Sequence, residues 1–113
     1  MPQRVGKLPT IAIFVSVNVI KRKTLKAYSE KYADAKDALD TWYRVCKRAN
    51  WNNFNEVKST YPSADVVGDD RVVFNILHNK YRLVVRFSFQ YKVIQIKWFG
   101  PHATYNRIDV TTI

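Results

Sequence analysis

The chain has 113 residues, 47% of them hydrophobic, and carries nineteen Lys and Arg against nine Asp and Glu, a formal charge of +10. That length fits one domain with one core, and a lone cysteine, Cys46, excludes an intramolecular disulfide and reads as a buried thiol in a reducing compartment. Two histidines and one cysteine fall short of a structural zinc site, which usually takes about four ligands, so neither metal nor cofactor is expected. The excess charge implies a polyanionic partner: nucleic acid, a ribosome, an acidic protein or an anionic membrane.

Arg4 and Lys7 precede an apolar run from Ile11 to Ile20, broken by Ser16 and Asn18. It resembles the charged and apolar parts of a signal peptide, but it lacks a small-residue cleavage pattern and leads into Lys21-Arg22-Lys23. It is too short to span a bilayer as a helix. Its β-branched content reads as a strand, in a cytoplasmic protein with no membrane role.

Thr24 to Tyr32 is expected to be helical, with Leu25, Tyr28 and Tyr32 on one stripe. Asp34 is placed to cap a second helix over about 35–49. There Ala35, Ala38, Leu39, Trp42, Val45, Cys46 and Ala49 recur at steps of three and four, while Lys36, Asp37, Asp40, Arg44 and Lys47 form a solvated side. Phe54 to Ser59 suggests a short third helix, and Pro62-Ser63 and Gly68-Asp69-Asp70 read as loops.

Beyond Gly68 the hydrophobic period changes to two. Arg71–Ile76, Tyr81–Ser88 and Val93–Phe99 are predicted strands joined by hairpins. Requiring apolar side chains to share a face fixes the registers, because a slip of one residue inverts them. Ile76 then pairs with Tyr81, Phe74 with Leu83 and Val72 with Val85. Across the next hairpin Ser88 pairs with Val93, Phe87 with Ile94, Val85 with Ile96 and Leu83 with Trp98. Helices must cover this apolar face, so the expected fold is α+β: N-terminal helices packed on one face of an antiparallel sheet of three to four strands.

The same registers define a second face. Arg71 falls opposite Arg86 with Gln95 next across, Asn75 opposite Arg82 with Phe99 next, and Val73 and Val84 lead to Lys97. From Arg71 to Arg107 there are seven Lys and Arg and no Asp or Glu. Directly opposed like charges destabilise a sheet, so Arg71 beside Arg86 requires a compensating anion. A plain reading is a solvated face with snorkelling arginines; a phosphate-binding face explains more, because the arginine fork suits phosphate. Phe99, Tyr91 and Tyr105 are candidates to stack on unpaired bases, although Tyr91 reads first as rim packing. Lys21-Arg22-Lys23 with Lys26 is either an extension of that footprint or a solvated helix start.

Cutting RNA through its 2′-hydroxyl needs a proton acceptor, a proton donor and cations at the phosphorane. His102, after the last strand and followed by Tyr105, is of the residue type most used for acid–base work, while a lone loop histidine is more often structural. His78 reads as turn chemistry, and the carboxylate pairs Asp69-Asp70 and Asp37 with Asp40 as loop or helix-surface charge. There is no glycine-rich phosphate loop and no serine or cysteine nucleophile motif.

Several segments, in order, resemble the HigB family of toxins, relatives of the RelE-like mRNA interferases, from Asn18 through Ile108. They are Asp34-Ala35-Lys36 through Trp42-Tyr43, Trp51-Asn52-Asn53-Phe54, Tyr61-Pro62-Ser63-Ala64-Asp65, Arg71-Val72-Val73-Phe74-Asn75-Ile76, Asn79-Lys80-Tyr81-Arg82-Leu83-Val84, and Gly100 with His102-Ala103 and Tyr105. The resemblance implies a RelE-like fold and ribosome-dependent cleavage of mRNA. It also implies a cognate helix-turn-helix, HigA-like antitoxin, through which alone the toxin would meet operator DNA. Arg71, Asn75, Lys80, Arg82 and His102 with Tyr105 fall on the family's recurring polar pattern.

The expected activity is that of a metal-independent endoribonuclease acting on mRNA in the ribosome. His102, Arg82, Arg71 and Tyr105 are its expected catalytic group; Arg86, Lys80, Lys97, Asn75 and Phe99 are expected to bind RNA. The alternative is a non-catalytic basic RNA- or protein-binding module. Two departures from the family pattern stand out: Leu77-His78 where a glycine pair is expected, which should alter the first hairpin turn, and Pro101 in place of a threonine before His102. Residues 1–16 precede the usual start, as an extension, a misassigned start or an added strand, and 17–113 form the single toxin-like domain.

Overall fold

The computed structural model describes residues 18–20 and 22–113, with side chains from Thr24 onward. The expected N-terminal extension, most of the expected first strand and the Lys21-Arg22-Lys23 side chains lie outside the described residues. In chain order the elements are β1 (Asn18–Ile20), α1 (Arg22–Lys31), a 3-10 turn (Ala33–Ala35), α2 (Lys36–Arg48), α3 (Phe54–Thr60), β2 (Asp65–Val67), β3 (Arg71–Ile76), β4 (Tyr81–Ser88), β5 (Val93–Pro101) and α4 (His102–Tyr105). They form an α+β fold around a five-stranded sheet in the order β1-β5-β4-β3-β2. The last four strands pair antiparallel, and β1 lies parallel on the β5 edge.

The stripe read from α2 is its buried side: Leu39, Trp42 and Cys46 enter the core with Ala35 just ahead of them. α3 starts where Asn53 Oδ1 accepts from the Glu56 amide at 3.0 Å, while Glu56 Oε1 accepts from the Asn52 amide at 2.8 Å; together they satisfy two donors at a helix start. Asp34 does not cap α2. The 3-10 turn moves the helix start past it, and Ala35 occupies the cap without a side-chain bond. The Asp34 carboxylate instead accepts from Tyr81 Oη at 2.7 Å and from Lys80 Nζ, tying the helical layer to the β3–β4 hairpin.

All six β3–β4 pairs follow the expected register, Arg71 opposite Arg86 included. The β4–β5 register follows from Ser88–Val93 to Val85–Ile96 and then shifts: Val84 meets Trp98, and Leu83 meets Phe99. The extra residue is Lys97, a β-bulge that turns the end of β5 over. Phe99 therefore joins the helix-covered core, 5% exposed, with ring centroids 5.3 Å from Tyr28, 5.7 Å from Tyr32 and 5.1 Å from Tyr81. Burying one such side chain contributes about 1.5–3 kcal/mol, which an exposed Phe99 would forfeit. The expected Leu83–Trp98 pairing and an outward Phe99 are both corrected by this shift. β2, between the two expected loops, has no counterpart among the expected strands; its three residues pair with the outer edge of β3.

The second face is not open along its whole length. Val73 and Val84 are buried on it. The chain leaves β5 at Pro101, opposite Tyr81, and returns to the far end of β3, where Arg71 Nη2 donates to the main-chain oxygen of Ile113 at 2.5 Å. Residues 102–113 thus cross this face.

Both tight turns into and out of β3 use left-handed backbone without glycine: Asp69 and Asp70 at φ 59° and 60°, Leu77 and His78 at φ 54° and 60°. The departure from a glycine pair therefore leaves a turn in the conformation that glycine favours and places the strain on Leu77 and His78. His78 is exposed. A non-glycine residue there costs roughly 1–2 kcal/mol, part of which the looser glycine chain returns on unfolding. His78→Gly is thus expected to raise the free energy of unfolding by about 1 kcal/mol, read from the denaturant midpoint; an unchanged or lowered midpoint contradicts the strain.

Candidate nucleic-acid interface

Alternation along β4 sends Arg82, Val84 and Arg86 to the second face, where the β3 register adds Arg71, Val73 and Asn75. The bulge adds Trp98 and brings the charge of Lys97 near Asp69. At the β2 end, Arg71 is almost wholly buried. Its Nη1 donates to Asp69 Oδ2 at 2.5 Å, and its Nε has no partner among the described residues. Arg86 Nη2 donates to the other Asp69 oxygen at 3.2 Å. The anion that the opposed arginines require is therefore Asp69, which the sequence reading treated as loop charge. Its place in a tight turn two residues before Arg71 was the available signal. The Arg71 hydrogen bond, followed by the charge of Arg86, holds its carboxyl below the usual carboxylate range.

At the other end Arg82 is held differently. Its Nη1 donates to the main-chain oxygens of Asn79 at 3.1 Å and Tyr81 at 3.3 Å, and its guanidinium carbon lies 6.0 Å from the Tyr105 ring centroid. Among the described residues it has no carboxylate partner in an ion pair. Partial burial, then the charge of Asp65, raises the Tyr105 phenol, with Arg82 opposing. Tyr105 is therefore a protonated donor at neutral pH. Its ring lies 6.3 Å from that of Trp98. Trp98 in turn lies against Gly100, where a Cβ would stand 2.8 Å and 2.9 Å from two indole carbons.

His102 is exposed at the start of α4, at the Arg82 end of the sheet, and its amide donates to the Lys80 main-chain oxygen at 3.1 Å. Asn75 is half-buried opposite Arg82. The Lys80 amine pairs with Asp34 and lies 5.5 Å from the Tyr81 centroid, so it is directed to the helical layer. Phe99 is buried beneath that layer, which removes it from the set of stacking residues; Trp98, which sequence reasoning had assigned to the core, takes the outward position. Tyr91 is 72% exposed in the β4–β5 turn, in place of the rim packing expected for it. The face thus brings together Arg82, Tyr105, Trp98 and Asn75 near His102, with Arg86 and Lys97 farther along, while Arg71 is an internal brace.

Among the described residues no group of three or more His, Cys, Asp or Glu could hold a metal ion, and no helix is long and apolar enough to cross a membrane.

A small basic α+β domain with a cationic, aromatic sheet face beside its C-terminal helix is the class that these features define. The model of the HigB toxin family, the RelE-like toxic component of a toxin-antitoxin system, matches residues 35–108, well over half of the chain. The chain belongs to this family, its α+β architecture is the RelE-like one, and an antitoxin is its implied partner. The match begins at Ala35, so the resemblance noted from Asn18 to Asp34 lies ahead of it. A search of curated proteins finds no match.

Gly100→Ala should drive the Trp98 indole off the strand, costing about 1–3 kcal/mol of stability as overpacking does. Trp98 emission should shift to the red while the far-ultraviolet circular dichroism stays native; an unchanged emission spectrum would show that the indole does not depend on Gly100. Asp34 and Asp69 both have lowered folded-state carboxyl pKa values. Their stabilisation is therefore complete above the unfolded carboxylate value and is lost as pH falls through the folded one. Stability should decline from about pH 5 toward pH 3, and Asp34→Asn or Asp69→Asn should flatten that decline in denaturant titrations.

Proposed function

We propose that this toxin is a metal-independent endoribonuclease that cleaves mRNA on the ribosome and so arrests translation in the cytoplasm. The observation that carries the reading is Arg82: a cation held by main-chain oxygens and an aromatic ring, without a carboxylate, at the sheet end that also holds Tyr105, Trp98 and His102. Such a guanidinium is available to a phosphodiester. In the proposed reaction the RNA 2′-oxygen attacks phosphorus, its proton passes to a base, and the 5′-oxygen leaves with a proton from an acid. The products are a 2′,3′-cyclic phosphate and a free 5′-hydroxyl.

Arg82 stabilises the charge on the phosphorane. His102 is the acid–base group, and Tyr105, protonated at neutral pH, donates to an oxygen of the reacting phosphate or stacks on a base. Arg86 and Lys97 grip neighbouring phosphates, Trp98 offers a stacking surface, and Asn75 offers an amide to the RNA. Arg71 positions this face by bracing it from within. Lys80 reaches RNA only by leaving Asp34. Residues 17–113 are the proposed toxin domain, with 1–16 an extension or added strand. The proposed partner is a HigA-like helix-turn-helix antitoxin, through which alone the toxin meets operator DNA.

Induction of the wild-type chain without an antitoxin is expected to stop growth and shorten ribosome-bound mRNA. Arg82→Ala or His102→Ala should relieve the arrest and slow cleavage at least about 100-fold. Binding that engages three phosphates should weaken with salt at a log–log slope of about −2. Intact mRNA on translating ribosomes exposed to wild-type protein would overturn the nuclease reading, and salt-dependent RNA binding without cleavage would leave a binding module.

A further inference from the structure

The β2 end of the same face carries a feature that the phosphate grip assigned to Arg86 does not explain. Arg71 and Arg86 are cross-strand partners, and the Asp69 carboxylate bridges them unequally: 2.5 Å to Arg71, 3.2 Å to Arg86. The Arg71 side chain is 7% exposed, whereas that of Arg86 is 44% exposed. Asp69 reaches both from a left-handed turn, a conformation that aspartate tolerates better than most residues. Arg86 also lines an open groove of about 500 Å³ with Asp70, Ser88, Gln90 and Gln95, floored by the apolar Phe87 and Phe89. A buried, tightly held cation and an exposed, loosely held one thus share one anion beside an open groove of mixed polar and apolar lining.

We propose that Arg86 is a phosphate site for single-stranded RNA that the chain's own Asp69 occupies in the free protein. An RNA phosphodiester displaces Asp69 from Arg86, while Arg71 retains the carboxylate. The inference rests on the RNA reading above and adds to it a competitor internal to the chain. The chemistry is an exchange of one oxyanion for another at a guanidinium fork, with no covalent step. A phosphodiester suits the exposed fork because it presents two oxygens to paired N–H donors, and the groove lets the strand continue past Ser88 and Gln90. Asp69 weakens RNA binding in this account, and it prevents repulsion between Arg71 and Arg86 when RNA is absent.

The test measures binding of a 2′-O-methyl RNA decamer, which keeps its phosphates but cannot be cut at the 2′-oxygen, as a function of salt. Asp69→Asn is expected to tighten binding by up to about fivefold, the ceiling set by what an exposed ion pair is worth, with the salt slope unchanged because Arg86 meets the same phosphate in both proteins. Asp40→Asn, an equal change of net charge on the helical layer, should tighten binding far less, and adding Arg86→Gln to Asp69→Asn should remove the gain. In the wild type, should Asp69→Asn fail to fold, saturation with the decamer is expected to move the Asp69 carboxyl 13C signal. Equal gains from Asp69→Asn and Asp40→Asn, or an Asp69 signal that stays in place, overturn the inference. If the wild type binds and Asp69→Asn changes nothing, or if the wild type does not bind the decamer, this inference falls, while the nuclease reading is decided separately by mRNA cleavage on translating ribosomes.

Discussion

One extra residue in β5 decides which aromatic ring the second sheet face carries. Strict alternation from Ile94 would put Trp98 in the core and Phe99 outside. The bulge at Lys97 reverses both, so Phe99 completes the cluster with Tyr28, Tyr32 and Tyr81, and Trp98 meets Tyr105. The apolar gain under the helices drives this: several ring contacts, each worth about 0.5–1.5 kcal/mol beyond area, outweigh the ladder irregularity that a bulge introduces. The core therefore chooses the face, and Gly100 keeps the space against the strand that the displaced indole needs.

The same face must also solve an electrostatic problem. Arg71 and Arg86 stand directly opposite each other, and Asp69 at the entrance to β3 bridges them; on the other, helical side Asp34 reaches Lys80 at the β3–β4 hairpin. Each carboxylate lies beside a turn with non-glycine residues at positive φ. Strain in those turns is compensated by the ion pairs and by the strands they join, a combination common where a rigid scaffold presents a functional surface. At the hairpin end of the second face, Arg82 takes main-chain oxygens and an aromatic ring in place of an acid.

How much of this was legible in the sequence follows the range of each signal. The α2 stripe and the β3–β4 register come from local periodicity joined to burial on one face, and both hold residue for residue in the pairs Val72–Val85, Phe74–Leu83 and Ile76–Tyr81. β2 has three residues and pairs along its whole length with a neighbour, too short for any period to show. The Lys97 bulge has no composition signal; it is set by rings from α1 and the loop after it packing on Phe99. Asp34 looked like a helix cap because cap preference is local, whereas its partners Lys80 and Tyr81 are more than forty positions away. Asp69 was misread for the opposite reason: it is two residues from Arg71, and only three-dimensional turn geometry brings its carboxylate over the strand.

These separate failures bear on the site in one direction. The sequence placed Arg71 and Arg82 in the expected catalytic group and Arg86, Lys80 and Lys97 among the expected RNA-binding residues. The structure ranks them by what already holds them. Arg71 is buried on Asp69 and Ile113, Lys80 is paired with Asp34, Arg86 shares Asp69 from an exposed position, and Arg82 has only neutral oxygens and a ring. A phosphate meets the least competition at Arg82, because displacing a carboxylate forfeits charge–charge attraction while displacing a carbonyl forfeits a neutral hydrogen bond, about half as strong. That gradient runs along β4 toward Tyr105 and His102. The groups suited to proton transfer therefore lie at the end of the face where an incoming phosphodiester meets the weakest internal competition.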